Sequence, residues 1–419
     1  MRSMFLAVLV ALAGCAGAVN GTLQVPPQNN AATRGLSNAT AGTITHVIYV
    51  VQEGRSFDDL FQGYPGALTS STGEISTGKT VTLSPISLKA RYDIDTQVRA
   101  MFAACDGTGK LPGTGCRMNG FNEEELYGGP KGIKYPMYAY VPHEESKPYF
   151  DMAREWVVAD HMFASQLDGS FTAHQYIVAA QSGHAVGFPT GSGGCEGGKY
   201  DSVATLTQRR RDGPNEIACF TYKTLANELE RAHLSWRFYT PDKASSSFAF
   251  DKRVYGSPQW HRDVIQPPSQ FRNDVASGKL ANMTWVTPTC PDSDAVNCGG
   301  GGGPAWVASL VNAVGESKFW ESTAIFVQWD DWGGFYDEVA PPFEDYDGLG
   351  FRVPLLVISA YAKHGHVSHV QYETASVVRF TEDIFGLRQL AAADKRAISP
   401  AADCFDFSRP PRKFIPIKT

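Results

Sequence analysis

The chain predicts an α/β fold with a mainly parallel central sheet sandwiched between helices. Three observations predict it. From residue 44 onward, short apolar runs rich in Val, Ile, Phe and Trp alternate with longer runs of helical character, the pattern of strands joined by crossover helices. No fixed-period repeat competes with that pattern. Two of the apolar runs also end abruptly in carboxylates and then glycine, and in open α/β sheets ligands bind beyond the carboxyl ends of strands.

The elements follow in order. Met1-Arg2-Ser3 is a short positive region, and Met4 to Leu12 is apolar but too short to span a bilayer. It ends in Leu12-Ala13-Gly14-Cys15, which resembles a bacterial lipobox, in which the cysteine is lipidated and becomes the mature N-terminus. The competing reading is an ordinary secretory signal cleaved nearby. Either way the chain is expected to be exported, lipid-anchored to the bacterial cell envelope or secreted. Residues 16–43 are small and polar, a flexible tether. Residues 44–419 are expected to form a single domain. Strand-like runs cover 46–52, 156–160, 235–239, 283–287, 323–329 and 353–359. Helix-like runs cover 148–155, 171–182, 222–233, 304–315 and 373–386, with Thr221 or Thr224 as a cap and Pro304 in a first turn. The five glycines 299–303 cannot pack side chains and read as a mobile loop, a lid near the site.

Composition narrows the class. With 419 residues, 43% hydrophobic and 19% charged, the chain can build a large core. A net charge of −6 argues against nucleic acid as a partner. Arg209-Arg210-Arg211 is short and reads as a solvated loop. Export makes disulfides possible. With Cys15 set aside, nearest-neighbour pairing joins 105 to 116, 195 to 219 and 290 to 298, leaving Cys404 odd. No spacing matches paired Cys/His zinc ligands.

Three segments carry chemistry. The run Thr323 to Val327 leads into Asp330 and Asp331, then Gly333 and Gly334. Two adjacent carboxylates at a buried strand end repel unless a cation lies between them; the plainer reading is a solvated acidic turn. The run His46 to Gln52 likewise ends in Glu53, so Glu53, Asp330 and Asp331 together make a hard, oxygen-rich site for a divalent cation. In Gln166-Leu167-Asp168-Gly169-Ser170, the serine falls at a helix start. There it serves either as an N-cap or as a nucleophile stabilised by a metal and the helix end.

Together these segments resemble the bacterial phosphoesterase family of phospholipases C and acid phosphatases, within the alkaline-phosphatase-like superfamily. Glu53-Gly54-Arg55-Ser56-Phe57-Asp58 resembles that family's E-N-R-S-F-D motif, and Trp329-Asp330-Asp331-Trp332-Gly333-Gly334 its W-D-D/E-x-G-G motif. The Ser170 segment resembles its nucleophile loop. The stretch Tyr361 to His369 resembles the one that follows its last core strand. The resemblance implies an alkaline-phosphatase-like fold and one divalent metal ion held by Glu53, Asp330 and Asp331. It implies Ser170 as the nucleophile, and a phosphomonoester or phospholipid head group as substrate.

The chain departs from that pattern at three positions. Gly54 stands for the family's asparagine ligand, and Thr96 and Ala295 stand where relatives carry histidines that contact phosphate or protonate the leaving group. His174 and His369 are the histidines best placed to substitute. The alternative function is a non-catalytic envelope lipoprotein that binds a phosphate-bearing ligand or partner. A sulfatase would need a C/S-x-P-x-R context, which Ser170-Phe171-Thr172-Ala173-His174 lacks.

Overall fold

The computed structural model describes residues 43–191 and 193–419. The expected leader with Cys15, and nearly all of the expected tether, lie outside the described residues. No helix among the described residues is long and apolar enough to cross a membrane.

Eight strands form the central sheet: β1 His46–Gln52, β2 Val157–Ala159, β3 Trp236–Tyr239, β4 Val264–Ile265, β5 Met283–Val286, β6 Thr323–Trp329, β7 Leu355–Ser359 and β8 His366–Ser368. Their spatial order is β4-β3-β5-β1-β6-β7-β2-β8. β1 pairs in parallel with β5 and β6 along its length, from His46 beside Thr323 to Gln52 beside Trp329. Only β7 runs antiparallel to its neighbours. The sheet is therefore mainly parallel, as expected. Every residue of β6 and all but the first of β1 are buried, as continuous apolar runs covered on both faces should be.

This topology positions the site. β1, β2, β5, β6 and β8 all point the same way. Glu53, Asp160, the 290–298 loop, Asp330 and His369 thus emerge at one edge. The sequence pattern missed β4 and β8, which are two and three residues long and sit at the sheet margins. Such segments are too short for a periodic signal.

Seven helices matter below: α1 Phe57–Phe61, α2 Val98–Cys105, α3 Lys147–Glu155, α4 Ser170–Ala179, α5 Leu225–Arg231, α6 Gly303–Gly315 and α7 Ala375–Phe385. Thr224 caps α5, its own backbone N–H donating to Asn227 Oδ1 at 3.0 Å. α4 stops where Ala180 turns left-handed, three residues before the end of the apolar pattern. Trp156, Trp236, Trp285 and Trp329 are fully buried in the core, each contributing about 1.5–3 kcal/mol of apolar transfer.

The disulfides join Cys105–Cys116, Cys195–Cys219 and Cys290–Cys298, and Cys404 is free and buried. The five-glycine run is not a lid. An added Cβ at Gly300 or Gly302 would lie 2.5 or 2.4 Å from the Pro291 carbonyl oxygen, and one at Gly303 would lie 2.0 Å from Asp294 Oδ1. These glycines let the start of α6 press against the disulfide-closed loop.

Candidate active site

Two strand ends build the floor of the site. Where β1 and β6 finish side by side, the Asp330 N–H donates to the Gln52 carbonyl at 2.9 Å and the Arg55 N–H to the Asp331 carbonyl at 3.0 Å. The turn after β6 is tight enough to need glycine. Gly333 has φ +64, and a Cβ there would fall 2.1 Å from the Gly54 carbonyl oxygen. Asp330 and Asp331 are buried, so the solvated-turn reading is set aside. Asp330 Oδ1 accepts the N–H groups of Gly54 and Asp331, at 2.8 and 2.7 Å. Asp331 Oδ1 accepts the Gly333 N–H at 2.7 Å.

The serine arrives from across the molecule. Gly169 is the N-cap of α4 and Ser170 its first residue. The Ser170 side chain does not cap its own helix; its Oγ donates to Asp331 Oδ2 at 3.0 Å. Asp168 holds this loop in place. Its buried carboxylate accepts the N–H groups of Val98, Gly169 and Gly187 at 2.8, 2.9 and 2.9 Å. Burial raises its pKa to about 6 against the pull of those bonds. Asp168 was missed as a site residue, although a carboxylate two positions before a helix-start serine is a local signal.

One turn along α4, His174 Nε2 lies 3.3 Å from Glu53 Oε1 and 3.5 Å from Asp330 Oδ2. Glu53, His174 and Asp330 offer ligand atoms that all lie within 4.8 Å of one another. His174 Nε2 and Asp330 Oδ2 are buried and have no hydrogen-bond partner. The electrostatics agree with a cluster short of positive charge. Burial, then the Asp330 charge, raises Glu53, and the same two causes raise Asp331 well above the carboxylate range. Burial pushes Asp330 up too, but His174 outweighs it and the net direction is down. Burial disfavours the His174 cation, yet Glu53 and Asp330 carry its pKa up to about 10. The orphaned Asp330 Oδ2, beside the carboxylates of Glu53 and Asp331, suits a divalent cation.

A cavity of about 200 Å³ opens on Ser170, Glu53 and Asp331. The ribbon of Tyr92–Ile94 against Leu126–Gly128 brings Asp93, Asp95, Thr96 and Tyr127 to its wall. Ala295 lines it from the disulfide loop. Thr96 and Ala295, the positions at which the family resemblance implies histidine, thus both face the cavity, and among the described residues no histidine lines it.

His369 is not brought to this cluster. Its Nδ1 lies 2.9 Å from both carboxylate oxygens of Asp160, and His161 Nδ1 lies 2.7 Å from Asp160 Oδ1. Asp160 follows β2, two strands across the sheet from β6, a span of about 10 Å. The E-x-R-S-F-D-like motif is largely scaffold. Arg55 Nε donates to the Asp294 carbonyl at 2.8 Å and Nη1 to Asp59 at 3.0 Å. Ser56 Oγ donates to the Tyr336 carbonyl at 2.7 Å, and Asp58 accepts the Ser70 and Glu338 N–H groups at 3.1 and 2.8 Å.

A family model described as the phosphoesterase family matches residues 44–388. The non-hemolytic phospholipase C of Burkholderia pseudomallei is 24% identical over 95% of this chain, which spans 64% of that relative's length. Phospholipase C A of Mycobacterium tuberculosis is 23% identical over 89% of this chain and 79% of its own. A solved structure of the alkaline phosphatase superfamily from Vibrio parahaemolyticus, 10% identical, covers 87% of this chain and 73% of that one with a TM-score of 0.39.

Proposed function

The chain belongs to the phosphoesterase family, and on that premise we propose that it hydrolyses phosphoester bonds with Ser170 as the nucleophile and one divalent cation held by Glu53, Asp330 and Asp331. The observation that carries this reading is the Ser170 Oγ, held 3.0 Å from Asp331 Oδ2 at the N-terminus of α4. A helix start favours negative charge near its first residues. A bound cation would supply charge neutralisation for the phosphoryl oxygens and favour the ionised serine hydroxyl. Asp331 orients Ser170 Oγ and accepts its hydrogen bond. The oxygen then forms a bond to phosphorus, its proton passing to Asp331 Oδ2, as the bond from phosphorus to the ester oxygen breaks and that oxygen takes a proton from solvent. Water attacks the resulting phosphoserine in line, phosphate or the phosphorylated head group leaves, and Ser170 regains its proton.

The relatives' names point to phospholipid head groups. Tyr127 and Phe188 are exposed aromatics beside Asp93 and Asp95 on the cavity wall, a setting that receives an ammonium group. A substrate whose phosphoryl group carries a quaternary-ammonium head group, released with its phosphate in the water step, is therefore favoured. A second reading rests on Thr96 and Ala295, neither of which offers a group acidic enough to protonate a leaving group. Under it the site binds phosphate-bearing ligands without turning them over.

The test is hydrolysis of p-nitrophenyl phosphate and p-nitrophenyl phosphorylcholine, with and without a chelator. Turnover that the chelator abolishes, and that Ser170→Ala lowers at least about a thousandfold, supports the proposal. Unchanged turnover in Ser170→Ala removes the serine from the mechanism. Phosphate binding without turnover in the unaltered protein favours the second reading.

A further inference from the structure

We infer that His174 is itself a ligand of the cation, and that this nitrogen turns an all-oxygen site into one that prefers a zinc-type transition metal to magnesium or calcium. The inference rests on the phosphoesterase reading only in taking a cation to bind between the strand ends. Its first support is which atoms are free. Asp330 Oδ1 is taken by two N–H groups, Asp331 Oδ1 by Gly333 and Asp331 Oδ2 by Ser170. Gly54 has no side chain, and its N–H already serves Asp330. Asp330 Oδ2 and His174 Nε2 are buried and have no hydrogen-bond partner, and Glu53 Oε1 lies within 4.8 Å of both.

The spacing is the second support. His174 Nε2 stands 3.3 Å from Glu53 Oε1 and 3.5 Å from Asp330 Oδ2. Two donors each about 2.1 Å from one ion at the tetrahedral angle stand about 3.4 Å apart. The octahedral right angle that magnesium demands would bring them to about 3.0 Å. His174 Nε2 thus stands from Glu53 Oε1 and from Asp330 Oδ2 as two ligands of one ion stand from each other. Imidazole favours zinc, copper, iron and nickel, whereas carboxylate and water suit magnesium, calcium and manganese.

The competing role for His174 is as a built-in cation, an imidazolium that neutralises Glu53 and Asp330 in the metal's stead. The two roles predict opposite signs. Zinc, manganese and magnesium are titrated into metal-stripped unaltered protein, His174→Ala and His174→Gln, by calorimetry with a competing chelator. As a ligand, His174 lowers zinc affinity at least tenfold on removal, and magnesium affinity falls less, so the zinc-over-magnesium preference shrinks in both variants. Zinc affinity that is unchanged, or that rises as a built-in cation's removal would make it, overturns the inference. His174→Gln retains bulk and a neutral polar end, and stands in if His174→Ala fails to fold. The readout needs no turnover. Loss of zinc affinity in a protein that hydrolyses neither aryl substrate keeps this inference and sinks the functional reading; hydrolysis with undiminished zinc affinity does the reverse.

Discussion

Single residues set this site through the bonds they already hold. Asp168 never reaches the cavity, yet three backbone N–H groups from three segments converge on it. Truncating it strands all three donors in a buried place. Asp168→Ala is therefore expected to cost about 3–5 kcal/mol of unfolding free energy, measured by urea titration. It should also lower turnover in whatever fraction folds, since Ser170 loses its anchor. A variant as stable as the unaltered chain would show those N–H groups to be satisfied elsewhere. His369 teaches the opposite lesson. It sits in a stretch that resembles the family pattern, but its bond to Asp160 makes it a tether between two strand ends.

Elements decide how firmly those residues are held. The Cys290–Cys298 bridge closes a loop that contributes Asp294, whose Oδ2 accepts from Tyr149 Oη and Trp329 Nε1 at 2.6 and 2.9 Å. Replacing both cysteines by serine should lower stability by about 2.5 kcal/mol from loop closure alone. Denaturant midpoints of oxidised and double-serine protein check it; equal midpoints would mean the loop is fixed by its glycines and by Gln52, whose Nε2 donates to the Asp292 carbonyl and whose Oε1 accepts the Asp294 N–H. At the far margin, Asp403 ties β8 to the C-terminal segment. It accepts from Lys363 Nζ, His366 Nε2 and Ser368 Oγ at 2.9, 2.8 and 2.6 Å. Burial works against its charge, but these three donors hold its pKa down to about 2. A carboxylate depressed on folding adds stability above its unfolded pKa of about 3.9 and loses it as pH falls toward 2. With solvent screening at this partly open place, Asp403→Asn should cost about 1–2 kcal/mol at pH 7 and almost nothing near pH 2. A mutant deficit independent of pH would assign the loss to packing.

For the molecule as a whole, the cation and the envelope are the two expected partners. A cation that binds the folded site and not the unfolded chain raises stability by about 2.7 kcal/mol at a hundredfold excess over Kd. In a chain of this size that is about 3 °C in Tm. Scanning calorimetry with and without a chelator should find that difference, and Asp330→Asn should shrink it. An unchanged Tm would argue that the cluster keeps its protons instead of binding a metal. We propose anchoring through Cys15, supported by the lipobox-like Leu12-Ala13-Gly14-Cys15. Cys15→Ser should release the protein from detergent-extracted membranes, and unaltered partitioning would leave the anchor elsewhere.

Short helices such as Phe57–Phe61 and Gln270–Ala276 were not legible in the chain, whereas the strands of the sheet centre, five of the helices, the disulfide partners and the carboxylates at two strand ends were. Each is a local signal: an apolar run, a nearby cysteine, a charge where a buried run stops. The sequence by itself therefore determined the fold class and the floor of the site. What it left open were relations across distance. Ser170 and Asp331 are 161 positions apart, and whether that serine caps its helix or turns to the carboxylate depends on where α4 docks. The direction of β7, the pairing of β8 and the close packing of the glycine run belong to the same class. Only the tertiary structure chose between His174 and His369, because α4 carries one to the gap between β1 and β6 while β8 delivers the other to Asp160. Strand order alone sets that separation, and strand order is fixed by the joint packing of all the elements, which no local pattern encodes.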